Sequence, residues 1–193
     1  MSAMYLGHRR SVDLDLFTTR EEIHPNGRKK ITDVLRAKFD FYMPTVIHPS
    51  FTSMMINDVK VEFVSDMFAY RGKRPEVSLD NTVCKVDSWD NLCVAKFSAF
   101  LSRAADKDIS DLGAILKTAK DDYELKEMAN FLICETSKRD SMADELANVY
   151  DMVSRASQMT KNLSYKDILF KSAKIIMEFE KEIAEEVAVK GVH

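Results

Sequence analysis

The chain changes its hydrophobic period once, near residue 87, and that change limits the fold more than any other feature of the sequence. Ahead of it, segments 11–17 and 59–65 alternate apolar and polar residues, the period of two that places successive side chains on opposite faces of a strand, and segments 41–47 and 51–56 also read as strands. A helical segment at 25–39 interrupts them, with Ile31, Val34, Leu35 and Phe39 at helical spacing. Beyond the change every segment reads as helix, at about 88–103, 107–118, 121–136, 141–158 and 165–189. The pattern predicts an α+β chain with a mixed part at 1–87 and a helical part at 88–193.

Local signals fill in the first part. Residues 1–6 read as the end of a helix, closed by Gly7 and followed by His8, Arg9 and Arg10, cations where the helix dipole favours them. Asn57 and Asp58 predict a two-residue hairpin turn between the segments at 51–56 and 59–65. Residues 67–77 read as a loop carrying Arg71, Lys73 and Arg74, either solvated or in contact with a substrate, and a short strand is expected near Val83 to Val86. In the last helix, Ile168, Leu169, Ile176, Phe179, Ile183 and Val187 form a stripe opposite Glu and Lys residues, for packing on a core or a partner.

With 193 residues, 46% hydrophobic and 31% charged, the composition is that of a globular protein. A net charge of -3 and a pI near 5.9 exclude a uniformly basic nucleic-acid-coating surface and leave room for a local basic patch. Cys84, Cys93 and Cys134 are odd in number and widely spaced, with no Cys-x-x-Cys pair, so neither a disulfide framework nor a zinc site is expected. The first residues contain no apolar signal core and no segment is apolar enough to span a membrane. The expected location is the cytoplasm.

Two of the strands carry acidic residues in their interiors, where Asp is disfavoured. Asp13 and Asp15 share one face of the first strand, while Leu14 and Leu16 take the other. Glu62 occupies the polar face of the segment at 59–65 and joins the aspartates if the two strands are neighbours. Three carboxylates on a rigid sheet suit Mg²⁺, and two such ions activate the attacking and leaving oxygens of a phosphoryl transfer. A solvated sheet face is the alternative. Asp-x-Asp alone is weak, because about two such pairs are expected by chance at this aspartate content and the chain has another at Asp106 and Asp108.

The first two helices of the second part place charges where apolar residues belong. Lys96 and Arg103 fall within the arc of Leu92, Cys93, Phe97 and Phe100, so each needs an anionic partner to offset desolvation. In the next helix Asp108 lies on the side of Leu112, Ile115 and Leu116, with Asp111 at its edge. Two readings stay open: Lys96 or Arg103 pairs with Asp108 to tie the helices together, or the cations bind substrate phosphates.

Four motifs in order carry a resemblance: Leu6-Gly-His-Arg-Arg-Ser-Val-Asp-Leu-Asp-Leu-Phe17, Val59-Lys-Val-Glu-Phe63, Ala95-Lys-Phe-Ser-Ala-Phe-Leu-Ser-Arg103 and Lys107-Asp-Ile-Ser-Asp-Leu112. Over about residues 3–116 the chain resembles the AbiEii/AbiGii-type nucleotidyltransferase toxins of the DNA polymerase β-like superfamily. The resemblance implies a polymerase β-like nucleotidyltransferase core followed by a helical C-terminal half. It also implies transfer of a nucleoside monophosphate from an NTP to an RNA, such as tRNA, or to a protein, with Mg²⁺ as cofactor and a cognate antitoxin as partner. It assigns Asp13, Asp15 and Glu62 to the metal, with Lys96 and Asp108 as further catalytic positions, and Arg9, Ser11, Lys96, Arg103 and Asp111 to the nucleotide. The family's catalytic strand follows a glycine-rich phosphate turn and a helix, whereas this chain begins inside that helix at Ser2 to Gly7. The expectation is therefore an N-terminally truncated copy, either active or retained as a catalytically degenerate nucleotide-binding, RNA-binding or interaction protein.

Overall fold

The computed structural model describes residues 5–11, 13–18, 25–39, 42–48, 51–65, 73–138 and 148–190. The chain forms two compact units that divide between Asn91 and Leu92.

The first unit is built on a mixed sheet of four strands: β1 (Asp13–Thr18), β2 (Tyr42–His48), β3 (Phe51–Ile56) and β4 (Val59–Ser65). They lie in the order β1-β4-β3-β2. Strands β2, β3 and β4 are antiparallel neighbours, and β1 joins the far side of β4 in parallel. The β3–β4 hairpin forms where expected. Asn57 and Asp58 take φ values of 45° and 67°, the left-handed pair whose twist matches that of the flanking strands. The β2–β3 register slips between Pro44 and Val46, where proline has no N–H to give the ladder.

Helix α1 (Pro25–Lys38) matches its predicted span, and its Leu35 packs on Met54, Ile56 and Val61 with Phe63 beside them. Val34 and Phe39, from the same predicted stripe, are exposed. One short helical turn remains at Tyr5 and Leu6. Gly7 follows with φ at 58°, the left-handed conformation that lets a helix end without a Cβ clash. Residues 1–4 lie outside the described part.

A two-stranded ribbon follows, β5 (Glu76–Leu79) with β6 (Thr82–Lys85). Strand β6 accords with the expectation near Val83, whereas β5 begins within the segment that reads as loop. Four residues with Val77 and Leu79 as their apolar members give too little alternation to read. Strand β5 owes its form to pairing, Val77 opposite Cys84. Residues 66–72, with Arg71 of the expected basic loop, lie outside the described part.

The period change coincides with a cap. The N–H of Asn91 donates to Ser88 Oγ at 3.2 Å, and Asp87 Oδ1 accepts from the Ser88 N–H and Asn91 Nδ2. These bonds satisfy donors at the start of helix α2 (Trp89–Arg103). The Tyr5 hydroxyl donates to the Asp87 carbonyl at 2.7 Å, with its ring 5.6 Å from that of Trp89. Burial, and then the Asp87 charge, raise the Tyr5 pKa.

The second unit is helical: most of α2, then α3 (Asp106–Leu116), α4 (Asp122–Ser137), α5 (Val149–Met159) and α6 (Leu163–Lys190). Residues 139–147, at the expected start of α5, lie outside the described part. Helix α6 packs on α5, α3 and α4. Of its predicted stripe, Leu169 and Ile176 are buried, Ile168 and Phe179 are half-buried, and Ile183 is exposed. Each fully buried side chain of this size contributes about 1.5–3 kcal/mol. A Cβ on Gly113 of α3 would lie 2.8 Å from Tyr165 Cβ of α6, so the close approach of these helices depends on a residue without a side chain.

Together the units give an α+β protein with a mixed sheet and, among the described residues, six helices. No described helix is long and apolar enough to cross a membrane, and no disulfide joins the three cysteines.

Candidate functional site

In the first unit, the condition that the sequence left open is met, because β1 and β4 are adjacent. Asp13 is the register partner of Lys60, and Asp15 that of Glu62. Partners on neighbouring strands project to the same side, so Asp13, Asp15, Lys60 and Glu62 form one polar face. Leu14 and Leu16 fall opposite Val61 and Phe63 on the reverse face. The alternation of β1 thereby separates its acidic and apolar residues.

Hydrogen bonds order this face. Ser11 Oγ donates to Asp13, 3.1 Å from Oδ1 and 3.0 Å from the carbonyl, which fixes the carboxylate at the strand's entrance. Arg9 lies just upstream, its guanidinium 3.4 Å from the Arg10 carbonyl. Lys60 Nζ meets Glu62 Oε1 at 2.7 Å. That hydrogen bond raises the Lys60 pKa; burial opposes it, and the charges of Glu62, Asp13 and Asp15 each add a smaller upward contribution. The ammonium thus senses all three carboxylates.

These residues fit a divalent ion in kind. They offer hard oxygen donors on neighbouring strands, with the Lys60 ammonium against one oxygen of Glu62. As the side chains stand, no group of three or more His, Cys, Asp or Glu among the described residues is placed to hold a metal. Glu62 instead faces Lys60.

The other motif residues lie in the second unit, where each cation meets an aspartate. Lys96 Nζ lies 3.0 Å from Asp111 Oδ2, and Asp111 is fully buried. Arg103 grips Asp108 with two bonds, Nε to Oδ2 at 2.7 Å and Nη2 to Oδ1 at 2.8 Å. Asp108 Oδ2 also accepts from the Ala105 N–H at 3.2 Å. This clamp closes the turn from α2 to α3, where Ala104 takes a left-handed φ of 44°, unfavourable for a residue with a Cβ. The expected ion pair with Asp108 is therefore made by Arg103, while Lys96 takes Asp111 as its partner instead. Asp111, expected at the edge of the apolar side, lies within it.

No protein-family model matches the chain, and no curated protein matches its sequence. The functional reading rests on the motifs and on this geometry.

On the polar face, the pairing of Lys60 with Glu62 and the presence of Ser53 escaped the sequence reading. Lys60 carried a usable signal, since it stands two positions before Glu62 and strand alternation places both on one side. Ser53 carried none. It joins the face because the β3–β4 register sets it beside Glu62, and a register between strands is written in no single segment.

Proposed function

We propose that the chain is a Mg²⁺-dependent nucleotidyltransferase of the polymerase β-like type, moving a nucleoside monophosphate from an NTP to an RNA or protein acceptor. In this reading it is the toxin of a bacterial toxin–antitoxin or abortive-infection system, restrained by a cognate antitoxin. One observation carries the reading: Asp13, Asp15 and Glu62 share a face on adjacent parallel strands. Bound there, Mg²⁺ would supply charge neutralisation for the triphosphate and activation of the acceptor hydroxyl. The chain's own residues position the reactants, which is the main protein contribution to such transfers. Asp13 and Asp15 set the oxygen donors of β1, Ser11 orients Asp13, Glu62 adds the donor from β4, and Arg9 stands near the entrance for nucleotide phosphate.

The test is incubation of the purified chain with Mg²⁺, each α-³²P-labelled NTP in turn and total bacterial RNA, beside Asp13→Ala. Label in RNA or protein that disappears in the variant supports the transferase. Equal label in both refutes the metal assignment.

A second reading has an observation of its own. Lys96 and Arg103, the cations that the resemblance gives to the nucleotide, engage buried Asp111 and Asp108. A protein of this fold that binds nucleotide, RNA or a partner without turnover would retain such pairs for stability. Absence of label from a folded chain that still binds NTP would favour it.

A further inference from the structure

Ser53 is 2% exposed, and its Oγ has no hydrogen-bond partner among the described residues. A buried hydroxyl left in that condition is unfavourable, because it has lost water and gained nothing in exchange. Its placement supplies a reason. Ser53 is the register partner of Glu62 across β3 and β4, and Glu62 is in turn the register partner of Asp15. The hydroxyl therefore points to the acidic face, one strand inward from the carboxylates.

Glu62 has two oxygens. Oε1 is held by Lys60 at 2.7 Å, and a carboxylate accepts several hydrogen bonds at once. Side chains directly opposite on antiparallel strands have Cβ atoms about 4.5–5.5 Å apart, within reach of a serine hydroxyl and a glutamate. The added methylene of Glu, relative to Asp, gives this carboxylate the length to lean toward a neighbouring strand.

We infer that Ser53 is a positioning residue for Glu62: its hydroxyl donates to the Glu62 carboxylate when a divalent cation replaces the Lys60 ammonium. The exchange gives each group a partner. Lys60 withdraws toward solvent, with which it is already in contact, and Glu62 turns to the cation and is steadied by Ser53. Hydrogen-bond donors behind a metal-binding carboxylate act in this way elsewhere, and their removal weakens affinity by about tenfold or more. This inference rests on the carboxylate-site reading above.

The experiment measures Mn²⁺ binding to the full chain, following the electron paramagnetic resonance signal of free Mn²⁺, for the natural protein, Ser53→Ala, Ser53→Thr, Glu62→Gln and Thr52→Val. Thr52 is a control, buried and lacking a partner like Ser53 but on the opposite face of β3. Ser53→Ala should weaken Mn²⁺ binding by about tenfold, Ser53→Thr should restore it, and Thr52→Val should leave it unchanged. Without metal, Ser53→Ala should melt no lower than the natural protein, since it removes an unsatisfied group; a purely structural hydroxyl would give a lower melting temperature. Unchanged Mn²⁺ affinity in Ser53→Ala, with Glu62→Gln impaired, overturns the inference and leaves the carboxylate site standing. Binding that is absent, or indifferent to Glu62→Gln, overturns both.

Discussion

Replacement of Lys96 by Met separates a structural from a substrate-binding role for this residue. Methionine keeps most of the aliphatic stem and removes the charge that faces Asp111, a fully buried carboxylate, at 3.0 Å. At an effective dielectric of 20, the attraction at that distance is about 5–6 kcal/mol before desolvation is counted. Removing one partner of a buried pair costs about 3–5 kcal/mol, and the partial exposure of Lys96 argues for the lower end. A loss of about 3 kcal/mol corresponds to a fall in melting temperature of about 12–20 °C for a domain of this size. Thermal melts followed by circular dichroism, with urea titration as a second route, would measure it. Lys96→Met together with Asp111→Leu should recover much of the loss, because an apolar pair in place of a buried ion pair is often neutral or better. A single variant melting within about 2 °C of the natural protein would refute the structural argument and return Lys96 to the nucleotide.

Gly113→Ala normally gains about 1 kcal/mol of helix propensity, yet here the methyl group meets Tyr165 Cβ at 2.8 Å, and overpacking costs about 1–3 kcal/mol; urea titration should show a net loss, and a gain would disprove the close approach. Glu180 has a raised pKa, first through burial and then through the charge of Asp151. Because the folded value lies above the unfolded one, its contribution is fully present below the ordinary value near 4.5 and is lost as the pH rises through the folded value. Glu180→Gln should therefore melt higher than the natural protein at pH 7, with the difference vanishing in acid; a constant difference across pH would exclude titration as its cause. Lys60→Met should bind Mn²⁺ several-fold more tightly by removing the competing ammonium from Glu62, and isothermal titration showing weaker binding would contradict that competition.

The elements most legible in the sequence are those whose stability is local. The β3–β4 hairpin follows from Asn57 and Asp58 between two strand-like segments, and α1 keeps its predicted span because its periodicity is its own. Strand β5 was not legible, since a four-residue segment takes its form from β6. The same distinction divides the candidate site. Asp13, Asp15 and Glu62 could be selected by alternation within strands, but the partnership of Asp15 with Glu62 depends on β1 joining β4, and Ser53 enters only through the β3–β4 register. For Lys96, Arg103, Asp108 and Asp111 the helical wheel gave the correct conflict, charge on an apolar side. It offered Asp108 to either cation, which holds for Arg103, but it could not give Asp111 to Lys96, because the pairing is set by how α2 turns into α3.

The parallel union of β1 with β4 also bears on the order in which the chain can acquire chemistry. Strands β3 and β4 meet across a two-residue turn, whereas Asp15 must find Glu62 across nearly the whole of the mixed sheet's sequence. Each doubling of a closed loop adds about 0.6 kcal/mol of entropic cost, so the local hairpin is favoured early and the long closure late. A partly folded chain containing the β2–β3–β4 meander would hold Glu62, Lys60 and Ser53 in place without either aspartate. The acidic face would then come into existence at a single step, the docking of the edge strand, and a chain interrupted before that step would carry the sequence of the site without its electrostatics.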